Sequence, residues 1–338
     1  MHITIHRGAN QIGGNCVEIA TAQAKILLDL GMPLDFDDNP KERQEAIRTQ
    51  VQEWCRGVDA IFISHYHADH HGLVPQKAYD NPVYMTEGTK AMLNIGSVFI
   101  DKSWKIANVQ PIHPSRPGVP AIPVQVKDIT VTAFTVDHSA YDACAFLIEA
   151  GGKRILYTGD VRLNGRKGIL YKKLPTGVDY MLMEGTNISS KKEHKYHTEN
   201  EVEDALVELF KTDPGKANFI WCSSQNIDRL VAIYRACKRT GKKMAVDVYT
   251  ANVITSLWKG YQDAPRTKEF YAWADERGYD KHHIHTSGHA GAESLRTVAD
   301  HVNPACLIPI HTESPEEFVR AFPEHNILIL RDGKSREI

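Results

Sequence analysis

The segment Ser64-His65-Tyr66-His67-Ala68-Asp69-His70, set directly behind the apolar run Ala60-Ile61-Phe62-Ile63, limits what this chain can become more than any other stretch. The apolar run reads as a short buried strand, so the ligand-type side chains behind it emerge where a sheet ends. In a chain with 17 histidines among 338 residues, an HxHxDH pattern arises by chance on the order of three times in a thousand sequences. On an extended turn His65 and His67 lie on one side and can share a metal ion, while Asp69 and His70 turn toward a second. A solvated loop of polar residues fits poorly with a position at the end of a buried strand.

Composition narrows the class without naming the chemistry. Hydrophobic residues make up 42% and charged residues 24% of the chain, ordinary values for a globular protein, so disordered and fibrous classes are excluded. The length fits one large domain or a core with a smaller insert. No run reaches the ~18 apolar residues of a membrane span, and Met1 to Asn10 carries two histidines and an arginine where a signal peptide would be apolar. A cytoplasmic protein with no membrane partner is expected. The six cysteines form no CxxC pair, which favours reduced thiols. With 40 basic against 42 acidic residues the net charge is −2, so any nucleic-acid binding must come from a local basic groove.

Short strands are predicted at His2–His6, Cys16–Ala20 and Lys25–Asp29, separated by turns at Gly8 and Gly13-Gly14. Helical spacing predicts helices over Lys41–Arg56 and Thr86–Asn108, with Pro111–Pro123 a surface connection. Strands follow at Ile129–Val136, Ala143–Ala150, Arg154–Tyr157 and Val178–Met183. From about Asn187 helices (Glu199–Phe210, Asn226–Arg239, Arg266–Arg277) alternate with strands (Ala217–Cys222, Lys243–Val248), which predicts a small parallel α/β unit. After His285 the chain reads helix, strand, helix and a final strand at Ile327–Leu330.

Three more strand ends carry histidine or aspartate: Asp137-His138, Gly159-Asp160 and Pro309-Ile310-His311. With the HxHxDH segment, this order resembles the metallo-β-lactamase superfamily. The resemblance implies an αββα sandwich, α/β in class, with a dinuclear metal site at one edge. His65, His67 and His138 would hold one ion, Asp69, His70 and His311 the other, and Asp160 would bridge them, leaving room for one bridging hydroxide as nucleophile. Zinc is the expected ion, with manganese and iron also compatible with these ligands. Asp29, in Leu27-Leu28-Asp29-Leu30-Gly31, resembles the family's first motif and would support catalysis from behind, fixing ligand histidines by hydrogen bonding.

Three further segments resemble the β-CASP nuclease branch of that superfamily: Met181-Leu182-Met183-Glu184-Gly185-Thr186, His285-Thr286-Ser287-Gly288-His289-Ala290 and Pro309-Ile310-His311-Thr312-Glu313. Together with Ser223-Ser224-Gln225-Asn226-Ile227-Asp228-Arg229 opening a helix, they are most similar to ribonuclease J. The resemblance implies a core of residues 1–186 and 286–338, a β-CASP-like lid at 187–285, and single-stranded RNA in the cleft between them. His289 is the expected partner of the scissile phosphate or leaving oxygen, with Glu184 fixing its tautomer. Ser287 and Gly288 can offer a hydroxyl and an open N–H to a phosphate, and Ser223, Ser224 and Asn226 stand at a helix N-terminus, where anions are favoured, with Arg229 adding charge. The basic loop Ser189–His197 is a candidate phosphate rim or a plain solvated face.

The chain departs from ribonuclease J in having a short insert, no TGSQGEP-like stretch, and no segment after Ile338 for the C-terminal assembly domain. Endo- or exonuclease action and oligomeric state therefore stay open, a dimer among the options. The competing expectation is a small-molecule hydrolase of the same fold, acting on a cyclic nucleotide, thioester or lactone. A non-catalytic binding module would lack a ligand, and every ligand position is filled.

Overall fold

A computed structural model describes residues 1–74, 82–99, 105–190, 195–212, 214–223, 225–245 and 284–338, together with Ala272 and Glu276. Strands β1 (His2–Arg7), β2 (Cys16–Ala20), β3 (Lys25–Leu28), β4 (Ala60–Phe62), β5 (Val83–Met85) and β6 (Val109–Pro111) build a first sheet. Strands β7 (Val124–Val126), β8 (Ile129–Thr135), β9 (Cys144–Ala150), β10 (Lys153–Tyr157), β11 (Tyr180–Glu184) and β12 (Cys306–Ile310) build a second, and β13 (Lys334–Glu337) returns to the first beside β1. In the first sheet β3 to β6 run parallel. In the second, β7 to β10 alternate in direction and β10, β11 and β12 run parallel.

The strands read as they do because most are buried on one face or both. β8 alternates buried and half-buried positions along its length, and β4 is buried throughout. Ile3, Ile5, Val17 and Ile19 of the first sheet meet Val131, Phe146, Ile148 and Tyr157 of the second in one apolar cluster, so the sheets pack face to face. Helix α1 (Lys41–Trp54) covers the far side of the first sheet, placing Ile47 and Val51 in a cluster with Leu27 and Ile61. The short α2 (Ala68–His71) and the longer α3 (Glu87–Phe99) follow β4 and β5. Helices α4 (Glu199–Thr212) and α5 (Ile227–Thr240) share a separate small core of Val202, Leu206, Phe210, Ala232, Ile233 and Ala236. Helices α6 (Ala292–Val302) and α7 (Glu316–Ala321) lay Leu295, Val298 and Phe318 against Leu156, Met181 and Leu307 of the second sheet. The result is the expected αββα sandwich. Among the described residues no helix is long and apolar enough to cross a membrane.

Several sequence expectations are corrected. The helix expected over Thr86–Asn108 does not reach Asn108: α3 is described over Glu87–Phe99, residues 100–104 lie outside the described residues, Lys105 and Ile106 are not helical, and Asn108 turns left-handed at φ 52° into β6. Phe219 and Trp221 of the expected strand Ala217–Cys222 are exposed, and no strand among the described residues pairs with that segment. The expected Lys243–Val248 and Arg266–Arg277 elements lie mostly outside the described residues, apart from Lys243 to Ala245 and the helical Ala272 and Glu276. At Ile327–Leu330 only Ile327 makes a bridge, to Leu307, and the last strand is β13.

Candidate metal centre

Sheet direction gathers the chemistry on one edge. β3 and β4 are parallel, so Asp29 and Ser64-His65 leave the first sheet side by side. β8, β10, β11 and β12 share one direction in the second sheet, so His138, Asp160, Glu184 and His311 follow or close strands that end together. Facing edges of two sheets thus converge, as ligand sites commonly do at the carboxyl ends of strands. Gly159, at φ 56°, makes the turn that presents Asp160 in a backbone region that favours glycine.

Two groups of donors result, His65, His67, His138 and Asp160 in one and Asp69, His70 and His311 in the other, each with its donor atoms within 4.8 Å of one another. Asp160 stands between them. Its Oδ2 is 3.7 Å from His65 Nε2, 3.8 Å from His138 Nε2 and 3.2 Å from His70 Nε2, and its Oδ1 is 3.9 Å from His311 Nε2. Asp69 Oδ2 lies 3.8 Å from both His70 Nε2 and His311 Nε2. His138 Nε2 and His67 Nδ1 face each other at 3.3 Å. Such separations are about the edge of a tetrahedron whose centre lies ~2.0–2.1 Å from each nitrogen. His65 Nε2, His70 Nε2, His311 Nε2 and Asp160 Oδ1 are buried without a hydrogen-bond partner in the protein, which a structure tolerates when something else satisfies them. The donor set fits divalent metal. Asp160, His289 and His311 also fall within 4.8 Å of one another, so His289 borders the same space.

Behind the donors, Asp29 is fully buried and accepts four hydrogen bonds. Its Oδ2 takes those of His70 Nδ1–H (2.7 Å), Ser64 Oγ–H (2.8 Å) and Tyr157 O–H (2.6 Å), and its Oδ1 that of Ser64 N–H (2.7 Å). This fixes which nitrogen of His70 faces the donor cluster. Asp29 therefore positions and does not reach substrate, and its partners Ser64 and Tyr157 were not visible as functional residues in the sequence. Gly31 runs so close to the Asp69 carbonyl that any Cβ would collide with it.

The edge of the cluster is formed by His289, whose side chain is 23% exposed. Its Nδ1 is 3.2 Å from Glu184 Oε1, 3.2 Å from Thr186 Oγ1 and 3.6 Å from Asp160 Oδ2, which leaves Nε2 on the far side of the ring. Burial opposes a charge on His289, but Glu184 and Asp160 outweigh it and push its pKa up to about 9. Burial, with His70 and His67 beside it, pushes His65 well below the usual range; burial does the same to His138, and holds His67 near 4. These three are neutral imidazoles with lone pairs to give. Burial would raise the Asp160 carboxyl, yet His311 and His70 hold it well below the usual carboxylate range.

The residues expected to touch substrate divide. Ser287 Oγ accepts from Asn187 Nδ2 (2.9 Å) and His289 N (3.1 Å), shaping the His289 turn, and Gly288 lies where a Cβ would press on Ser139 Oγ beside His138. Asn226 and Arg229 are put to other use than the anion contacts expected. Asn226 Oδ1 caps α5 through Arg229 N at 3.0 Å, and the buried Arg229 guanidinium pairs with Glu199 through Nε at 3.1 Å. The carbonyl of Ser223 accepts from Asn226 N in the same capping turn. Ser224 lies outside the described residues, as do Lys191, Lys192 and His194 of the basic loop.

Residues 36–220 match the family model described as "Beta-lactamase superfamily domain", and residues 277–322 that of "Zn-dependent metallo-hydrolase RNA specificity domain". The chain belongs to the metallo-β-lactamase superfamily, in its β-CASP branch. It is 31% identical over 205 residues to "Probable RNase MJ4" of Methanocaldococcus jannaschii, a match covering 55% of this chain and 45% of that one. It is 24% identical over 331 residues to "Transcription termination factor FttA" of Cenarchaeum symbiosum, covering 87% of this chain and 49% of that one. The chain thus spans under half the length of these curated relatives. A crystal structure of a protein of unknown function from Enterococcus faecalis V583 superposes with a TM-score of 0.78 at 20% identity, covering 99% of both chains, and so shares the fold.

Proposed function

We propose that this chain is a metal-dependent nuclease that hydrolyses phosphodiester bonds in single-stranded RNA, with 187–285 forming a reduced lid over the core. The observation that carries this reading is the His289–Glu184 pair, poised at 3.2 Å beside a seven-donor cluster that fits two ions. Its support comes from relatives named for RNA cleavage and from the RNA specificity domain matched over residues 277–322.

In this reading His65, His67 and His138 would hold one ion and Asp69, His70 and His311 the second, with Asp160 available to either set. Divalent ions there, zinc first with manganese and iron also suited, would lower the pKa of bound water toward ~7 and draw negative charge off a phosphoryl oxygen. Asp29 holds His70 in the tautomer that directs Nε2 into the cluster. His289, whose Nδ1 faces Glu184, would offer a proton from Nε2 to the leaving oxygen of the scissile ester. The turn at Ser287-Gly288 sets where that ring stands.

The test is hydrolysis of a short 5′-monophosphorylated single-stranded RNA by metal-loaded and metal-stripped protein, with His289→Ala beside them. Cleavage that requires metal and falls by about 10²–10⁴-fold in the variant, at unchanged metal content, is the expected outcome. Turnover of bis-p-nitrophenyl phosphate without any RNA cleavage would overturn it in favour of a small-molecule hydrolase.

A further inference from the structure

Arg162 is a fully buried arginine two residues beyond Asp160, and nothing in the chemistry described so far uses it. Its guanidinium reaches four partners from four parts of the chain. Nη2 donates to Asp228 Oδ2 at 2.6 Å, Nη1 donates to Glu199 Oε1 at 3.3 Å and to the Ser287 carbonyl at 3.1 Å, and Nε lies 3.6 Å from Asp137 Oδ1. Glu199 and Asp228 stand in the first turns of α4 and α5, the two helices of the insert. Ser287 is two residues before His289, and Asp137 is next to His138.

These contacts are not equally dependent on the guanidinium. Asp137 is also held by backbone groups, its carbonyl by Arg162 N (2.8 Å) and its Oδ2 by Gly165 N (2.7 Å). Glu199 keeps Arg229 as a second partner. Asp228 has no other ion pair among the described residues. A rigid planar fork with several N–H groups is what lets one side chain bind three elements in fixed relation, and a lysine ammonium cannot reproduce it. A second strut runs alongside, where Tyr66 of the HxHxDH segment donates its O–H to the Gln225 carbonyl at 2.6 Å, just ahead of α5.

We propose that Arg162 is a positioning residue that sets the insert and the His289 turn in register with the metal centre. The proposal rests on the nuclease reading and adds to it how a polymer cleft and the proton donor are kept aligned. Arg162 does not touch the substrate; its effect passes through Asp228 and Glu199 to the insert and through the Ser287 carbonyl to His289.

The test uses the full, metal-loaded chain with Arg162→Lys and, because a buried arginine is hard to replace, Asp228→Asn at the edge of the cluster. RNA cleavage, bis-p-nitrophenyl phosphate turnover, metal content and hydrogen exchange are measured on each. A p-nitrophenolate leaving group needs no proton, so its turnover and the metal content stay near wild type. RNA kcat falls by about 10–100-fold, as misplacement of a positioned group by ~1 Å produces. Exchange quickens at the starts of α4 and α5 and at 286–290, while β1 to β4 are unchanged. Wild-type RNA activity and wild-type exchange at those segments in a folded variant would overturn the proposal, as would quickening spread evenly over both sheets. If wild-type protein cleaves no RNA, the nuclease reading fails alone, and the exchange pattern still decides whether Arg162 holds the insert in place.

Discussion

Replacing Asp29 by asparagine tests whether the metal centre is organised from behind. The backbone there is left-handed at φ 58°, a conformation asparagine accepts, so the substitution changes charge and hydrogen bonding without adding backbone strain. An asparagine carbonyl in the place of Oδ2 keeps the bonds from Ser64 Oγ, His70 Nδ1 and Tyr157 OH, and its amide then faces Ser64 N–H, donor against donor. Leaving that buried N–H unmet costs about 1–3 kcal/mol, and losing the ionic component of three bonds adds about 0.5–1 kcal/mol each. The metal-free protein is expected to lose roughly 2.5–6 kcal/mol of stability, read as a lower urea midpoint at unchanged slope. Metal affinity, measured by competition with a chelator, is expected to weaken by about 10–100-fold, because a neutral carbonyl draws the His70 Nδ1 proton less strongly than a carboxylate and leaves Nε2 a weaker donor. A variant within about 0.5 kcal/mol of wild type and with unchanged metal affinity would refute the reasoning, since it would show that the charge of Asp29 supports neither the fold nor His70.

Acid should loosen the insert through Glu199. Burial would raise its pKa, but Arg229 and Arg162 hold it below the ordinary 4.5, so the native state sheds this proton more readily than the unfolded chain. That contribution is fully present above 4.5 and is lost as pH falls through the lowered value; protease sensitivity of α4 and α5 should rise there, and Glu199→Gln should show less of this pH dependence. Gly31→Ala forces a methyl group into the Asp69 carbonyl and should cost about 1–3 kcal/mol with loss of metal, checked by thermal melting and elemental analysis; a stable, metal-replete variant would contradict the close approach.

Much of the site was legible because metal-ligand chemistry leaves dense local signatures at strand ends. HxHxDH, Gly159-Asp160 and His311 each follow a short apolar strand, and the two sheets bring these strand ends together at one edge. What escaped were residues whose role depends on a distant partner. Ser64, Tyr157 and Arg162 belong to no pattern of spacing, and only the folded chain shows that they face Asp29 or the insert. Asn226 and Arg229 looked suited to anions because a helix start with a nearby cation also suits a cap and a buried ion pair, and the carboxylate of Glu199 decided between them. β13 was missed because Lys334-Ser335-Arg336-Glu337 is exposed and wholly polar, so an edge strand held by backbone pairing to β1 carries no hydrophobic signal.

The second group of donors joins Asp69 and His70, which follow β4, to His311, which follows β12. About 240 of the 338 residues must be looped out before these side chains meet, and contacts of that span form late because closure entropy precedes any gain. During synthesis the HxHxDH segment emerges early and waits, able to gather one group of donors from nearer neighbours but not the other until β12 has docked beside β11. A donor cluster assembled in this order acts as a checkpoint on folding: a chain that has not closed its second sheet lacks a complete set of metal donors.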